Sequence, residues 1–140
     1  MAREIIRGDS YAIKRPLYVY TIVDENLNPF NLAGCTVRTT YRSTPASISE
    51  DPNDESAIWT GTLVVSSAGT ETYSKGLSLQ GLANEGKVEV RLSAEDSRKF
   101  PLDKELISDF EITDSLGEVF TFEFEEKLVA VEGVTHRLEG

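Results

Sequence analysis

Apolar and polar residues alternate in short runs along almost the whole chain, and the clearest run is residues 105–131, ELISDFEITDSLGEVFTFEFEEKLVAV. Side chains of a strand point to opposite faces in turn, so a step of two marks one face. Leu106, Phe110 and Ile112 share a face, with Ser108 between them. Ser115-Leu116-Gly117-Glu118 reads as a turn. Phe120, Phe122 and Phe124 then alternate with Val119, Thr121 and Glu123, and 125–127 turns the chain into Leu128–Val131. This predicts three strands joined by two tight turns. The three phenylalanines form one apolar face that the rest of the chain is expected to cover.

The same period recurs upstream. Residues 12–23 read as a strand apolar on both faces, starting after Pro16 or lying at an edge there, because proline cannot donate to a ladder. Residues 24–29, DENLNP, form a loop rich in turn formers. In 35–42, Cys35, Val37, Thr39 and Tyr41 are the predicted core face; Thr36, Arg38, Thr40 and Arg42 are the outer face. Residues 56–65 predict a strand with Ala57, Trp59, Leu63 and Val65 on one side. After a turn at Ser66-Ser67-Ala68-Gly69, a strand over 70–79 is interrupted by Gly76. Residues 87–92 place Val88, Val90 and Leu92 inward and Lys87, Glu89 and Arg91 outward. A single helical turn is predicted at 93–97, capped by Ser93, with Glu95 and Asp96 where the helix dipole favours acids. Residues 43–55 (STPASISEDPNDE) lack any period and read as an exposed loop.

About seven or eight short strands separated by regular turn signals imply an all-β fold, an antiparallel β-sandwich, with a small barrel as the alternative. The expected organisation is an N-terminal arm over 1–10, a β-sandwich domain over 11–133 and a C-terminal tail over 134–140. A chain of 140 residues can bury its own core as one domain.

Charge and candidate chemistry narrow the function. The net charge is −10 and the pI about 4.6. Such a surface repels phosphate, so nucleic acid is not the expected partner. The N-terminus lacks the apolar core of a signal peptide, and no run approaches the ~20 apolar residues of a membrane helix, so no membrane partner is expected. Cys35 and His136 are the only residues of their kinds, which leaves no disulfide and no Cys/His metal set. Cys35 is expected to be a buried, inert thiol. Glu50, Asp51, Asp54 and Glu55 crowd together, but without the spacing or the glycine of a helical calcium loop. The reading is a protein with no catalytic residue, no metal and no cofactor. Its candidate partner contacts are Arg38 and Arg42 on the strand face, Glu50, Asp51, Asp54 and Glu55 in the long loop, and Ile5, Ile6, His136 and Arg137 near the termini. A different class, a carbohydrate-binding module, would use Trp59 with Tyr11, Tyr18 and Tyr20 as an aromatic platform. A hydrolase would draw on Asp96 with Glu95, or Asp51 with Asp54.

The order of turn motifs adds a resemblance. Gly8-Asp9-Ser10 precedes the first strand. Residues 24–37 carry an acid, a turn, Pro29 and then Phe30-Asn31-Leu32-Ala33-Gly34-Cys35. Leu92-Ser93-Ala94-Glu95-Asp96-Ser97 and Asp109-Phe110-Glu111-Ile112-Thr113-Asp114 with Gly117 follow. From Gly8 to Val131 this resembles the immunoglobulin-like N-terminal domain of phage baseplate upper proteins and related small tail and head proteins. The resemblance implies an immunoglobulin-like sandwich and a non-enzymatic structural component of a bacteriophage virion. A tail or baseplate subunit is the first expectation and a capsid decoration protein the alternative. Its partners would be other virion proteins in many copies, with homo-oligomers within the particle left open. It would be made in the host cytoplasm and located in the virion.

Overall fold

A computed structural model describes residues 2–12, 16–43, 57–123 and 127–133. They form an all-β, sandwich-like fold of eleven strands in three sheets, more strands than patterning predicted. Strands β3 (Thr36–Arg42), β4 (Ala57–Val65), β5 (Glu71–Lys75), β9 (Asp109–Thr113) and β10 (Val119–Glu123) build the largest sheet in the order β10-β9-β3-β4-β5. A second sheet joins β2 (Tyr18–Thr21), β7 (Lys87–Val90) and β6 (Leu77–Leu79) in the order β2-β7-β6. A third joins β1 (Ala2–Ile6), β11 (Lys127–Val131) and β8 (Glu105–Leu106), with β1 parallel to β11.

Register fixes which side chains enter the core. Across the large sheet, Phe120, Ile112, Val37 and Leu63 lie in one row, and Phe122, Phe110, Thr39 and Gly61 in the next. Tyr20 of β2 meets Phe110 of β9 edge to face, with ring centroids 5.4 Å apart, so the second sheet covers this face. At the far end of the large sheet Phe100 packs on Tyr41 at 6.0 Å, and Ile107, next to β8, bridges to Arg42. The predicted inner faces hold: Cys35, Val37, Thr39, Tyr41, Trp59, Leu63, Val65, Val88, Val90 and Leu92 are all buried. Thr39 is tolerated there because its hydroxyl bonds to Ser108 Oγ at 2.6 Å and donates to the Asp109 carbonyl at 2.7 Å.

Four expectations are corrected. The 105–131 segment is not three strands of one meander. β8 and β11 belong to one sheet and the β9–β10 hairpin to another, and the crossing occurs at Ile107–Ser108. The phenylalanine face is covered only in part: Phe110 is buried and Phe122 half-buried, whereas Phe120 is 36% exposed and Phe124 lies outside the described residues. The reason is topological. β10 is an edge strand, and the neighbour that reaches over it is Phe30, edge to face with Phe120 at 5.8 Å and Phe122 at 6.0 Å. The segment read as an N-terminal arm contains strand β1, whose Ile5 is core. Glu89, read as outward, is buried as well. It accepts from Arg91 Nη2 at 2.7 Å and Nε at 3.0 Å, and from Gln80 Nε2 at 3.0 Å, so the carboxylate is paired where water is scarce.

Two predicted devices appear as expected. Helix α1 (Ala94–Arg98) starts at Ser93, whose Oγ accepts from the Asp96 N–H at 3.0 Å. Gly76, at φ +75°, separates β5 from β6 and passes the chain from one sheet to another. A Cβ at Gly76 would overlap the Trp59 indole, and one at Gly61 would lie 2.9 Å from it, so both glycines make the socket in which Trp59 sits.

Candidate contact surfaces

The sequence nominated contact residues on β3, in the long loop and near the termini. Glu50, Asp51, Asp54, Glu55, His136 and Arg137 lie outside the described residues. Arg38 is exposed on the outer face of the large sheet. It stands in register with Thr62 of β4 on one side and Glu111 of β9 on the other. An opposite charge directly across a ladder stabilises by about 0.2–1 kcal/mol, and it also reduces the positive field this face presents. Arg42 is half-buried beside an irregularity in the β3–β4 register, where its backbone N–H donates to the Ile107 carbonyl at 2.9 Å and its carbonyl accepts in return. Ile6 is partly exposed. Ile5 is buried opposite Ala130 and offers no surface to a partner.

Three of the four rings of the carbohydrate reading do not reach the surface, and the fourth, Tyr20, is half-buried. Tyr11, Tyr18 and Trp59 are buried, the last at 7% exposure. Trp59 Nε1 donates to Asp96 Oδ2 at 3.2 Å, and Asp96 Oδ1 pairs with Lys99 at 3.5 Å, so this carboxylate anchors the indole to α1. Cys35 is buried, and that burial, with a smaller contribution from Asp114, pushes its thiol pKa upward. A thiol held protonated is a poor nucleophile. Among the described residues no group of three or more His, Cys, Asp or Glu side chains could hold a metal ion, and no helix is long and apolar enough to cross a membrane.

Patterning missed a second surface. Three loops, Asp24–Asn28, Ser66–Thr70 and Asp114–Glu118, fold in one way. In each, the first residue's N–H donates to the fifth residue's carbonyl, at 2.8, 2.8 and 2.9 Å. The fourth residue's N–H returns to the first carbonyl, at 2.9, 2.9 and 3.1 Å. The first side chain caps the loop: Asp24 Oδ1 accepts from the Asn26 and Asn28 N–H groups, Asp114 Oδ1 from those of Leu116 and Glu118, and Ser66 Oγ from that of Thr70. The fourth position has positive φ in all three. It is Gly69 and Gly117 in two loops and Leu27, at φ 65°, in the third.

These loops gather at one end of the molecule. A Cβ on Gly34 would lie 3.4 Å from Ser115 Cβ and 3.9 Å from Ser67 Cα. One on Gly69 would lie 3.3 Å from Ala83, in a 3-10 turn at Ala83–Glu85. One on Gly86 would lie 2.6 Å from the Ile22 carbonyl and 2.9 Å from that of Phe30, at the base of the first loop. Leu27, Leu82 and Leu116 sit on these connections at 79%, 68% and 83% exposure. The signal was present in the sequence: DENLN, SSAGT and DSLGE share an Asp or Ser at the first position and a Gly or Leu at the fourth.

No protein-family model, curated protein or solved structure was found to match this chain.

Proposed function

We propose that the chain is a non-enzymatic structural subunit of a bacteriophage particle, an immunoglobulin-like module that works by protein–protein contact in the tail or baseplate. The observation that carries this reading is the meeting of two motifs behind the resemblance. The Gly8 N–H donates to Ser97 Oγ at 2.8 Å, and that hydroxyl donates to the Asp9 carbonyl at 2.8 Å, which docks the Gly8-Asp9 turn onto the Ser93–Ser97 helical turn across most of the chain's length. A third motif, Asp109–Gly117, is the β9–β10 hairpin with its aspartate-capped loop. Turn motifs held together in this way specify a rigid framework, and rigid frameworks suit repeated burial against neighbours.

On this reading Arg38 and Arg42 remain contacts on the sheet face, and the chain resides in the virion with other virion proteins as partners. Capsid decoration is the alternative place. Mass spectrometry and electron microscopy of purified particles from a culture that expresses the chain provide the test. The reading expects the chain in the particle at a copy number set by tail symmetry. A capsid-symmetric copy number moves it to the head, and absence from intact particles overturns it. Charge reversal at Arg38 and Arg42 is expected to weaken incorporation while the isolated domain stays folded.

A further inference from the structure

We infer that the loop end carrying Leu27, Leu82 and Leu116 is a docking surface for a protein partner whose apolar groove is rimmed by lysine and arginine. The first observation is exposure: three large aliphatic side chains stand on three connections that converge on one another. Single exposed leucines are ordinary, but a concentration of them at one end of a domain marks a contact region. Half-exposed Val119 and partly exposed Phe120 begin the strand that leaves the Leu116 loop, so they extend the apolar surface from it.

The second observation concerns Leu27. Its loop has the hydrogen bonding of two others that place glycine at the same position. A left-handed backbone is unfavourable for a residue with a Cβ, which is crowded against the following carbonyl. Leu27 does not recover that cost by packing, since it is 79% exposed. A strained residue that gains nothing inside the domain points to a use outside it.

Charge selects the partner. The connections at 24–28, 66–70, 81–87 and 114–118 hold five carboxylates, Asp24, Glu25, Glu85, Asp114 and Glu118, and one cation, Lys87, which lies 4.0 Å from Glu85. Apolar tips in an acidic rim repel an anionic lipid surface and a second copy of the same end, and they match a groove edged by basic residues. The surface is independent of the proposed place in a particle.

The test pans the purified protein against a random peptide library and titrates the enriched peptides by fluorescence anisotropy. The expected winners combine large apolar residues with Lys or Arg, and their affinity falls at least tenfold for Leu27→Gly/Leu82→Ser/Leu116→Ser. Glu25→Lys/Glu118→Lys should also weaken them. Cooperative thermal melting of each variant, at or above the parent's midpoint for the leucine variant, separates a lost contact from a lost fold. Failure to enrich any peptide, enrichment of acidic peptides, or equal affinity for the leucine variant overturns the inference. So does flotation with phosphatidylcholine/phosphatidylglycerol vesicles that depends on the leucines, which would assign the tips to a membrane.

Discussion

At one end of the molecule the large side chains turn inward around Trp59; at the other they stand outward on loop tips. Around Trp59 the chain gives up side-chain volume to make room. Gly61 and Gly76 line the indole, Tyr41 packs 5.9 Å away, and Asp96 takes its N–H. At the loop end the backbone is equally well hydrogen-bonded, with the same network built three times, but two of those loops present Leu27 and Leu116, and Leu82 stands on the connection beside them. The contrast shows that backbone order and side-chain burial are separate properties. A loop can be rigid because its own N–H groups are satisfied, and rigidity without burial is what a contact surface requires.

Substitutions can break this contrast. Trp59→Ala should be the most damaging, at about 3–5 kcal/mol in urea denaturation, because it empties a socket shaped by two glycines. A cost under about 1 kcal/mol would mean that the indole is not packed as described. Gly76→Ala should cost about 2–4 kcal/mol, since it combines a positive φ with overlap on the indole. Phenylalanines on one face sharpen the comparison: Phe110→Ala should lose about 3–5 kcal/mol, and Phe120→Ala, on the edge strand, about 1 kcal/mol. Equal losses would place Phe120 in the core. Leu27→Gly should raise stability by about 0.5–1 kcal/mol, as it relieves a left-handed backbone and gives up little packing. The smallest effect is chemical. Because burial raises the Cys35 pKa, its thiol should resist iodoacetamide at pH 8 in the folded protein and react promptly in urea. Prompt reaction in the folded state would contradict its burial.

The strand faces were legible in the sequence because a period of two survives wherever one side of a sheet is buried, as in Cys35-Val37-Thr39-Tyr41. The cap at Ser93 and the break at Gly76 were legible because their chemistry is local. What alternation could not assign was sheet membership: Leu106, Phe110 and Ile112 are in phase, yet Leu106 belongs to a different sheet, since the crossing at Ser108 preserves the period. Nor could alternation identify edges, so the phenylalanines of 120–124 looked as well covered as Phe110. Arg38 was legible as outward-facing, but its neighbour Glu111 comes from a strand seventy-three positions on (111 minus 38) and enters only through register. The leucine end was hidden for another reason. An exposed Leu in a five-residue loop has no periodicity, and the recurring Asp or Ser at the first position and Gly or Leu at the fourth gains its meaning only from the shared backbone geometry of the three loops.

The most direct test is the urea midpoint of the Leu27→Gly/Leu82→Ser/Leu116→Ser variant, followed by Trp59 fluorescence. If the loop end is an outward-facing surface on a finished fold, the midpoint stays at or above that of the parent protein. A loss as large as that of Trp59→Ala would show that the three leucines hold the domain together, and the distinction between the two ends would fail.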